Sequence, residues 1–377
     1  MTANPFTFGA LALDEAFTDR AEELRELEAD VRNGQDVVVF APRRYGKSSL
    51  VRRAAERLRR KGVLVAHVDL MTAPTKEKLA EKLARTIHED LATPLFRARD
   101  RLRVFAGLRV APVVTVDPQT GSLGFSFTAS ARREDVDATL ERLLELPGEL
   151  GADRRKRVAL VLDEFQEVVE IDAQLPRLLR AVFQAQPEVA HVYLGSKRHL
   201  LAHMFDDENE PFWRSAKKVE LDVIPRALFG PYVEERFRAT GKRIRPDVTA
   251  RVLDVTRGHP YATQELCYFL WEQTPGRGTA TPERLDEALE AVLRSEHAHF
   301  SLVWDRASTT QKRVLQALAD EPGRPLAGDY RRRHDLPAAS TVQRALEALS
   351  REELVRREDR VHRIAEPFLA EWIRAAT

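Results

Sequence analysis

Residues 37–48 narrow most sharply what this chain can fold into. Val37-Val38-Val39-Phe40 is an unbroken apolar run, Ala41-Pro42-Arg43-Arg44-Tyr45 follows it, and Gly46-Lys47-Ser48 opens a basic amphipathic stretch reaching Lys61. An apolar run of this length, bounded by turn residues, reads as a strand buried on both faces. Strand, tight turn and helix N-terminus then succeed one another within a dozen residues. That geometry gathers backbone N–H groups and the positive end of a helix dipole around an anion. The phosphate-loop pattern G-x-x-x-x-G-K-[ST] is met at Gly46, Lys47 and Ser48 and departs from glycine at Ala41. A tight turn leaves little room beyond hydrogen at Cα, and alanine is the smallest departure from it. In such a loop Lys47 supplies a point charge to the β- and γ-phosphates, and the Ser48 hydroxyl serves Mg²⁺. Pro42, Arg43, Arg44, Tyr45, Gly46, Lys47, Ser48 and Ser49 are the candidate nucleotide-binding residues.

A second apolar run, Val158-Ala159-Leu160-Val161-Leu162, ends in Asp163-Glu164. It has the composition of a central parallel strand. In nucleotide hydrolases of this layout the first acid holds the metal shell and the second polarises the attacking water. Asp163 is thus the candidate metal ligand beside Ser48, and Glu164 the candidate base. An acidic, solvated turn at a strand end is the structural alternative. The third short apolar run, His191-Val192-Tyr193-Leu194, is followed by Gly195-Ser196-Lys197-Arg198. Ser196 or Lys197 suits a sensor of the γ-phosphate, and Ser196 equally suits a helix N-cap.

With these segments placed, the chain resembles the archaeal-type ATPase family, a branch of the STAND group close to the AAA+ initiators of DNA replication. The resemblance is carried by Phe17-Thr18-Asp19-Arg20-Ala21-Glu22-Glu23-Leu24, the Pro42-Arg43-Arg44-Tyr45-Gly46-Lys47 loop, Leu162-Asp163-Glu164-Phe165-Gln166 and Gly258-His259-Pro260-Tyr261. The Pro-Arg-Arg form of the loop is the most distinctive of these. The family resemblance implies ATP or ADP with Mg²⁺, adds Arg20 to the nucleotide contacts, and brings Gly258 and Pro260 to the adenine. It also implies that an arginine just before the fifth strand, here Arg214, reaches a neighbouring copy as a finger. Arg43 and Arg44 compete for that charge-stabilising role, and a surface ion pair is the structural alternative for each.

Bulk properties set outer bounds. The 377 residues suffice for two or three domains, and a formal net charge of +1 gives no global basic field to attract nucleic acid. The single cysteine, Cys267, cannot form an internal disulfide and lies in an apolar helical stretch. No apolar run reaches spanning length and no leader pattern is visible, so a cytoplasmic protein without membrane contact is expected. The histidines are scattered without close Cys/His spacing, so no metal besides Mg²⁺ is expected.

Along the chain, strands at Gln35–Phe40, Gly62–Leu70, Arg157–Leu162, His191–Leu194 and the last residues of Phe212–Leu221 alternate with helices at Ser48–Lys61, Thr75–Leu91 and Asp135–Leu146. Such alternation implies an α/β fold with a parallel sheet and right-handed crossovers. Ligands then lie beyond the carboxyl ends of the strands, where Lys47, Asp163 and Ser196 are placed. Runs at Leu108–Val116 and Ser122–Ala129, joined by Asp117-Pro118-Gln119-Thr120-Gly121, read as an inserted β-hairpin spanning about 105–131. It suits either partner binding or plain decoration. From Pro225 to Ala291 the pattern turns helical, with one helix ending near Arg294 and Ser295–Phe300 leading out.

The tail carries helices at Thr309–Leu318, Gly328–His334 and Ala338–Leu349, then Leu354–Arg357 and Val361–Ile364 about the turn Glu358-Asp359-Arg360. Three helices and a hairpin make a winged helix. Its third helix offers Ser340, Thr341, Gln343 and Arg344, while Arg356, Arg357, Arg360, Arg363 and Arg331–Arg333 could meet phosphates. The expected organisation is a P-loop ATPase domain over 1–224, a helical lid over 225–299 and a winged-helix domain over 300–377. ATP is expected between sheet and lid, hydrolysed slowly, with nucleotide state positioning the winged helix for double-stranded DNA, a protein partner or another copy. The alternatives are a DNA-binding regulator or interaction scaffold whose nucleotide site does not turn over.

Overall fold

Every side chain of Val37–Phe40 is buried, so this strand (β1) has no solvent face and needs a neighbour on each side. In the computed structural model it has both. The structure describes residues 3–9, 20–91, 108–109, 113–116, 123–126 and 133–376. By internal contacts it divides into two bodies, one of residues 20–43 and 47–221, the other of 1–19, 44–46 and 222–377.

The first body is built on a five-stranded sheet: β1, β2 (Leu64–Asp69), β5 (Val158–Asp163), β6 (Val189–Gly195) and β7 (Lys217–Glu220), in the order β2-β5-β6-β1-β7. All pairings are parallel, with Val39 beside Leu194 and Val219, and Asp69 beside Asp163. The remaining strands β3 (Val113–Val116) and β4 (Leu123–Ser126) form a separate antiparallel pair. This is the expected hairpin; its turn at 117–121 lies outside the described residues, as do Phe17, Thr18 and Asp19. The core packs Val38, Leu160, Leu162 and Tyr193 against Leu79, Leu83, Leu143 and Leu179 from the helices.

Two helix limits differ from the sequence reading. Pro147 suggests a stop after Leu146, yet one helix runs Arg133–Arg154 with Pro147 inside it. Burial of Leu146 and Leu150 on either side anchors both halves, outweighing the backbone hydrogen bond that proline removes. The helix Thr75–Leu91 instead spans Lys76–Thr86 and passes into a π-turn at Ile87–Leu91, with the Thr75 hydroxyl capping Lys78 N–H at 3.3 Å.

The second body is mainly helical: Arg226–Ala239, Pro246–Thr256, Pro260–Gln273 and Pro282–Arg306. Short strands β8 (Arg243–Ile244) and β9 (Thr279–Ala280) join it in parallel. The last helix is longer than expected, because no Gly or Pro interrupts 283–306 and Phe300 is buried in the core. Phe6 fills the same core between Tyr232 and Phe237. Helices Thr309–Asp320, Gly328–Arg333 and Ala339–Arg351 follow, then β10 (Val355–Glu358) and β11 (Val361–Ile364) in antiparallel register, and a closing helix Pro367–Ala376. The Ser308–Gln311 capping box starts the first of these. Left-handed backbone at Asp359 and Arg360 closes the wing's two-residue turn. Cys267 is fully buried, as the sequence implies, and burial pushes its thiol pKa up.

Candidate functional site

The site of the first body is assembled at the carboxyl ends of β1, β5 and β6, where the topology reverses direction. Phe165 fixes its acidic side. Its ring lies 4.6 Å from Tyr193, 5.1 Å from Phe212 and 6.0 Å from Phe205, fully buried. With Phe165 pinned, the chain must turn sharply out of β5, and Glu164 takes the left-handed conformation (φ 52°, ψ 48°). A non-glycine residue in that region is strained unless its surroundings hold it there. The Glu164 carbonyl accepts from Glu167 N–H at 2.9 Å and closes the turn.

Lys47 is the first residue of the helix Lys47–Arg60 and is buried. Its ammonium donates to Glu164 Oε1 at 3.0 Å and lies 3.5 Å from Asp163 Oδ1. Asp163 Oδ1 also accepts from the Glu164 N–H at 2.9 Å, and its Oδ2 lies 3.7 Å from His67 Nε2. Glu164 Oε2 accepts from Gln166 Nε2 at 2.6 Å, from Ser196 Oγ at 2.8 Å and from Ser196 N–H at 3.2 Å. Burial pushes the Asp163 carboxyl up, but His67 and Lys47 outweigh it and hold its pKa below the ordinary range. Burial likewise opposes ionisation of Glu164, and Gln166, Lys47 and Ser196 together outweigh it. Both acids are ionised at neutral pH, as a hard-cation ligand and a proton acceptor must be.

The loop itself explains its departure at Ala41. Ala41 is buried, and it is not among the described residues with left-handed backbone, so no glycine is needed for conformation there. Gly46 (φ 82°) carries that requirement, and so does Arg44 (φ 67°). Arg43 is exposed. Arg44 and Tyr45 belong by their contacts to the second body. The Arg44 guanidinium lies 4.2 Å over the Tyr261 ring and 3.9 Å from Glu366. Tyr45 is buried, its ring meets His259 edge-on at 4.7 Å, and its hydroxyl accepts from Arg356. Arg20 is buried and pairs with Glu23 at 2.8 Å.

Three further expectations resolve structurally. Ser196 is not an N-cap: the helix Arg198–Asp206 is preceded by Lys197 and has no side-chain cap, because the Ser196 hydroxyl is committed to Glu164. Lys197 reaches Glu167 at 3.1 Å. Arg214 lies in the first body, exposed, left-handed (φ 50°), with its guanidinium 5.1 Å from the Trp213 ring.

In the second body Gly258 (φ 70°) has a structural duty of its own. A Cβ there would sit 2.3 Å from the Ile224 carbonyl oxygen, and the Gly258 carbonyl accepts from Ile224 N–H at 2.9 Å. Pro260 opens the next helix, whose N-cap is His259; neutral Nδ1 accepts from Ala262 N–H at 3.2 Å. Burial, then Arg356 and Arg44, push the His259 pKa down to about 3, which keeps that acceptor free.

On the winged helix, Ser340, Gln343 and Arg344 are exposed and Thr341 is half-buried on one face of Ala339–Arg351. Arg357 and Arg360 are exposed as well, but Arg356 and Arg363 are committed to Glu358 at 2.9 and 3.1 Å. Those two are a correction to the expected phosphate-contacting set: they stand directly opposite in the β10–β11 register, and a shared carboxylate between them offsets their repulsion. Arg333 pairs with Glu321.

His67 and Gln166 did not stand out in the sequence. A histidine two residues before a strand end and a glutamine after an acidic pair carry no spacing of their own. Only the β2–β5 pairing and the turn at Phe165 bring them to Asp163 and Glu164.

Comparison with known proteins agrees with this architecture. Among solved structures, the chain is similar to the Walker-type ATPase paby2304 of Pyrococcus abyssi, at 18% identity and a TM-score of 0.68 over 96% of this chain and 97% of that one. It is also similar to the Aeropyrum pernix ORC2 protein in its ADP form (15% identity, TM-score 0.52, 96% and 97% covered). The Aeropyrum pernix ORC1 protein in complex with DNA gives 15% identity and a TM-score of 0.50 over 96% and 93%. At these identities the likeness shows the fold. No curated protein sequence matches the chain. Among the described residues no helix is long and apolar enough to cross a membrane. Residues 298–375 match a probable winged helix domain. Residues 17–262, well over half the chain, match the ATPase domain found predominantly in Archaea, and the protein belongs to that ATPase family.

Proposed function

We infer that the first body binds ATP with Mg²⁺ and hydrolyses it slowly, and that nucleotide state governs what the winged helix can bind. The single observation that carries this reading is the position of Lys47. It sits at a helix N-terminus at the strand ends, facing the ionised carboxylates of Asp163 and Glu164 with Ser196 alongside. A lysine so placed exchanges carboxylate for phosphate when nucleotide enters. ADP in the Aeropyrum ORC2 neighbour supports nucleotide in this fold.

The residues present fit a magnesium ion. Asp163 offers one ionised carboxylate and Ser48 a hydroxyl, while no group of three His, Cys, Asp or Glu among the described residues suits a metal held by protein alone. Asp163 and Ser48 would hold the ion, whose positive charge would offset that of the phosphates. Lys47 takes charge from the β- and γ-phosphates, Ser196 orients the γ-phosphate, and Glu164 accepts a proton from the attacking water as the β–γ bond breaks to give ADP and phosphate. Ser49, Arg43, Arg44, Tyr45 and Arg20 complete the nucleotide's surroundings, Arg214 serves a neighbouring copy, and the roles of Gly258 and Pro260 at the adenine rest on the family resemblance.

For the winged helix we favour duplex DNA over a protein partner. The exposed face of Ser340, Gln343 and Arg344, with Arg357 and Arg360, joins polar base-reading groups to exposed cations. The DNA in the ORC1 neighbour supports this choice. ATP turnover measured with and without duplex DNA tests the whole reading. Turnover that changes with DNA upholds it, and binding without turnover, indifferent to DNA, replaces it with a nucleotide-held scaffold.

A further inference from the structure

The Glu164 carboxylate is held by four donors, three of them on one oxygen. Lys47 occupies Oε1, while Gln166 and both the hydroxyl and the N–H of Ser196 occupy Oε2. Each carboxylate oxygen offers about two acceptor positions, so Oε2 is saturated while Oε1 keeps one beside the Lys47 ammonium. In this state the carboxylate is fixed in orientation, and its donors hold its pKa below the ordinary range, which weakens it as a base.

These donors differ in what would release them. Lys47 and Ser196 are the groups assigned above to phosphate, so nucleotide draws them away. Gln166 has no such alternative. Its side chain is 2% exposed and wedged against the end of β6, where a Cβ on Gly195 would stand 2.2 Å from its Oε1. Its amide nitrogen also reaches Glu167 at 3.3 Å, and Glu167 is held in turn by Lys197. The Gln166 Oε1 atom is buried with no hydrogen-bond partner. Turning the amide over would set that oxygen against the Glu164 carboxylate, so the donor must face Glu164 and the acceptor must go unpaired. A buried orphan acceptor is tolerated where the arrangement serves something else.

We propose that Gln166 is a positioning residue that restrains Glu164 after nucleotide has displaced its other donors, and so sets how long the ATP-bound state lasts before hydrolysis. This rests on the reading of Glu164 as the base. Hydrolysis then waits for the carboxylate to leave the amide, which makes turnover slow without weakening binding. Glycine at 195 is the companion requirement, because any side chain there would displace the amide.

The test uses the full chain with Gln166→Leu and Gln166→Met, which keep the volume and remove the donor. Should leucine prevent folding, methionine carries the measurement. Expected is a rise in kcat of about threefold to tenfold, with Kd for ATP and ADP within about twofold of wild type by titration calorimetry. A residue with only a structural role would move Kd and thermal stability together with kcat. Unchanged or lower kcat, with Glu164→Gln inactive, overturns the restraint and leaves Glu164 as the base. Wild-type turnover by Glu164→Gln overturns the base assignment and the restraint with it.

Discussion

Replacing Glu265 by glutamine should stabilise the second body, and the gain should depend on pH. Glu265 lies in the helix Pro260–Gln273, fully buried, and neither carboxylate oxygen has a hydrogen-bond partner. Burial raises its pKa from 4.5 to about 8, helped by the carboxylates of Glu296 and Glu366, with Arg44 opposing. The folded chain therefore keeps this proton up to about pH 8, while the unfolded chain loses it from about 4.5. Between those limits the unfolded state binds fewer protons, so stability is fully present at low pH and falls as pH rises through the interval. Each pH unit is about 1.4 kcal/mol, so the interval amounts to about 5 kcal/mol at most. Water penetration and relaxation reduce that to about 2–4 kcal/mol. Glu265→Gln has no proton to lose. The variant should be more stable than wild type by about that amount at pH 8 and should show no gain at pH 4.5. Glu366, which burial pushes up to about 7, adds a slope that both proteins share, so the difference between them is the quantity to read. Urea unfolding followed by tryptophan fluorescence suits this test, because Trp271, Trp304 and Trp372 all lie in the second body. A stability difference that is the same at both pH values, or a variant less stable at pH 8, would refute the reasoning.

Two further substitutions probe other parts of the account. Gly258→Ala combines a left-handed backbone with a Cβ 2.3 Å from the Ile224 carbonyl and should destabilise the second body by about 2–4 kcal/mol; an unchanged melting temperature would contradict the backbone argument. Arg344→Ala and Arg357→Ala should each lower the slope of log affinity against log salt for duplex DNA by about one, read by fluorescence anisotropy. Slopes equal to wild type would remove these residues from the phosphate contacts.

Much of the first body was legible because its strands are buried on both faces. Val37–Phe40 and Val158–Leu162 can only be central strands, and a strand that ends beside a phosphate loop dictates where Lys47, Asp163 and Glu164 must lie. The helix limits were less legible. Pro147 and the 283–306 stretch show tertiary burial overriding a local stop signal in one case, and the absence of such a signal extending a helix in the other. His67 and Gln166, which act only through partners distant in sequence, were not legible. The donors on Glu164 come from positions 47, 166 and 196, and nothing in the spacing of Gln166 announces that its amide faces the base. Arg356 and Arg363 looked like free wing cations until strand register placed them across from each other on one carboxylate. Pattern tells which face a residue occupies, and register tells what it meets there.

The central claim is that Lys47 holds nucleotide at the loop, and titration calorimetry of ATP with Mg²⁺ on wild type and Lys47→Ala tests it most directly. The account predicts saturable binding by wild type and a loss of about a hundredfold or more in the variant, the effect of removing a charge-assisted contact to phosphate. Equal affinity in the two proteins, or no binding by wild type, would contradict it.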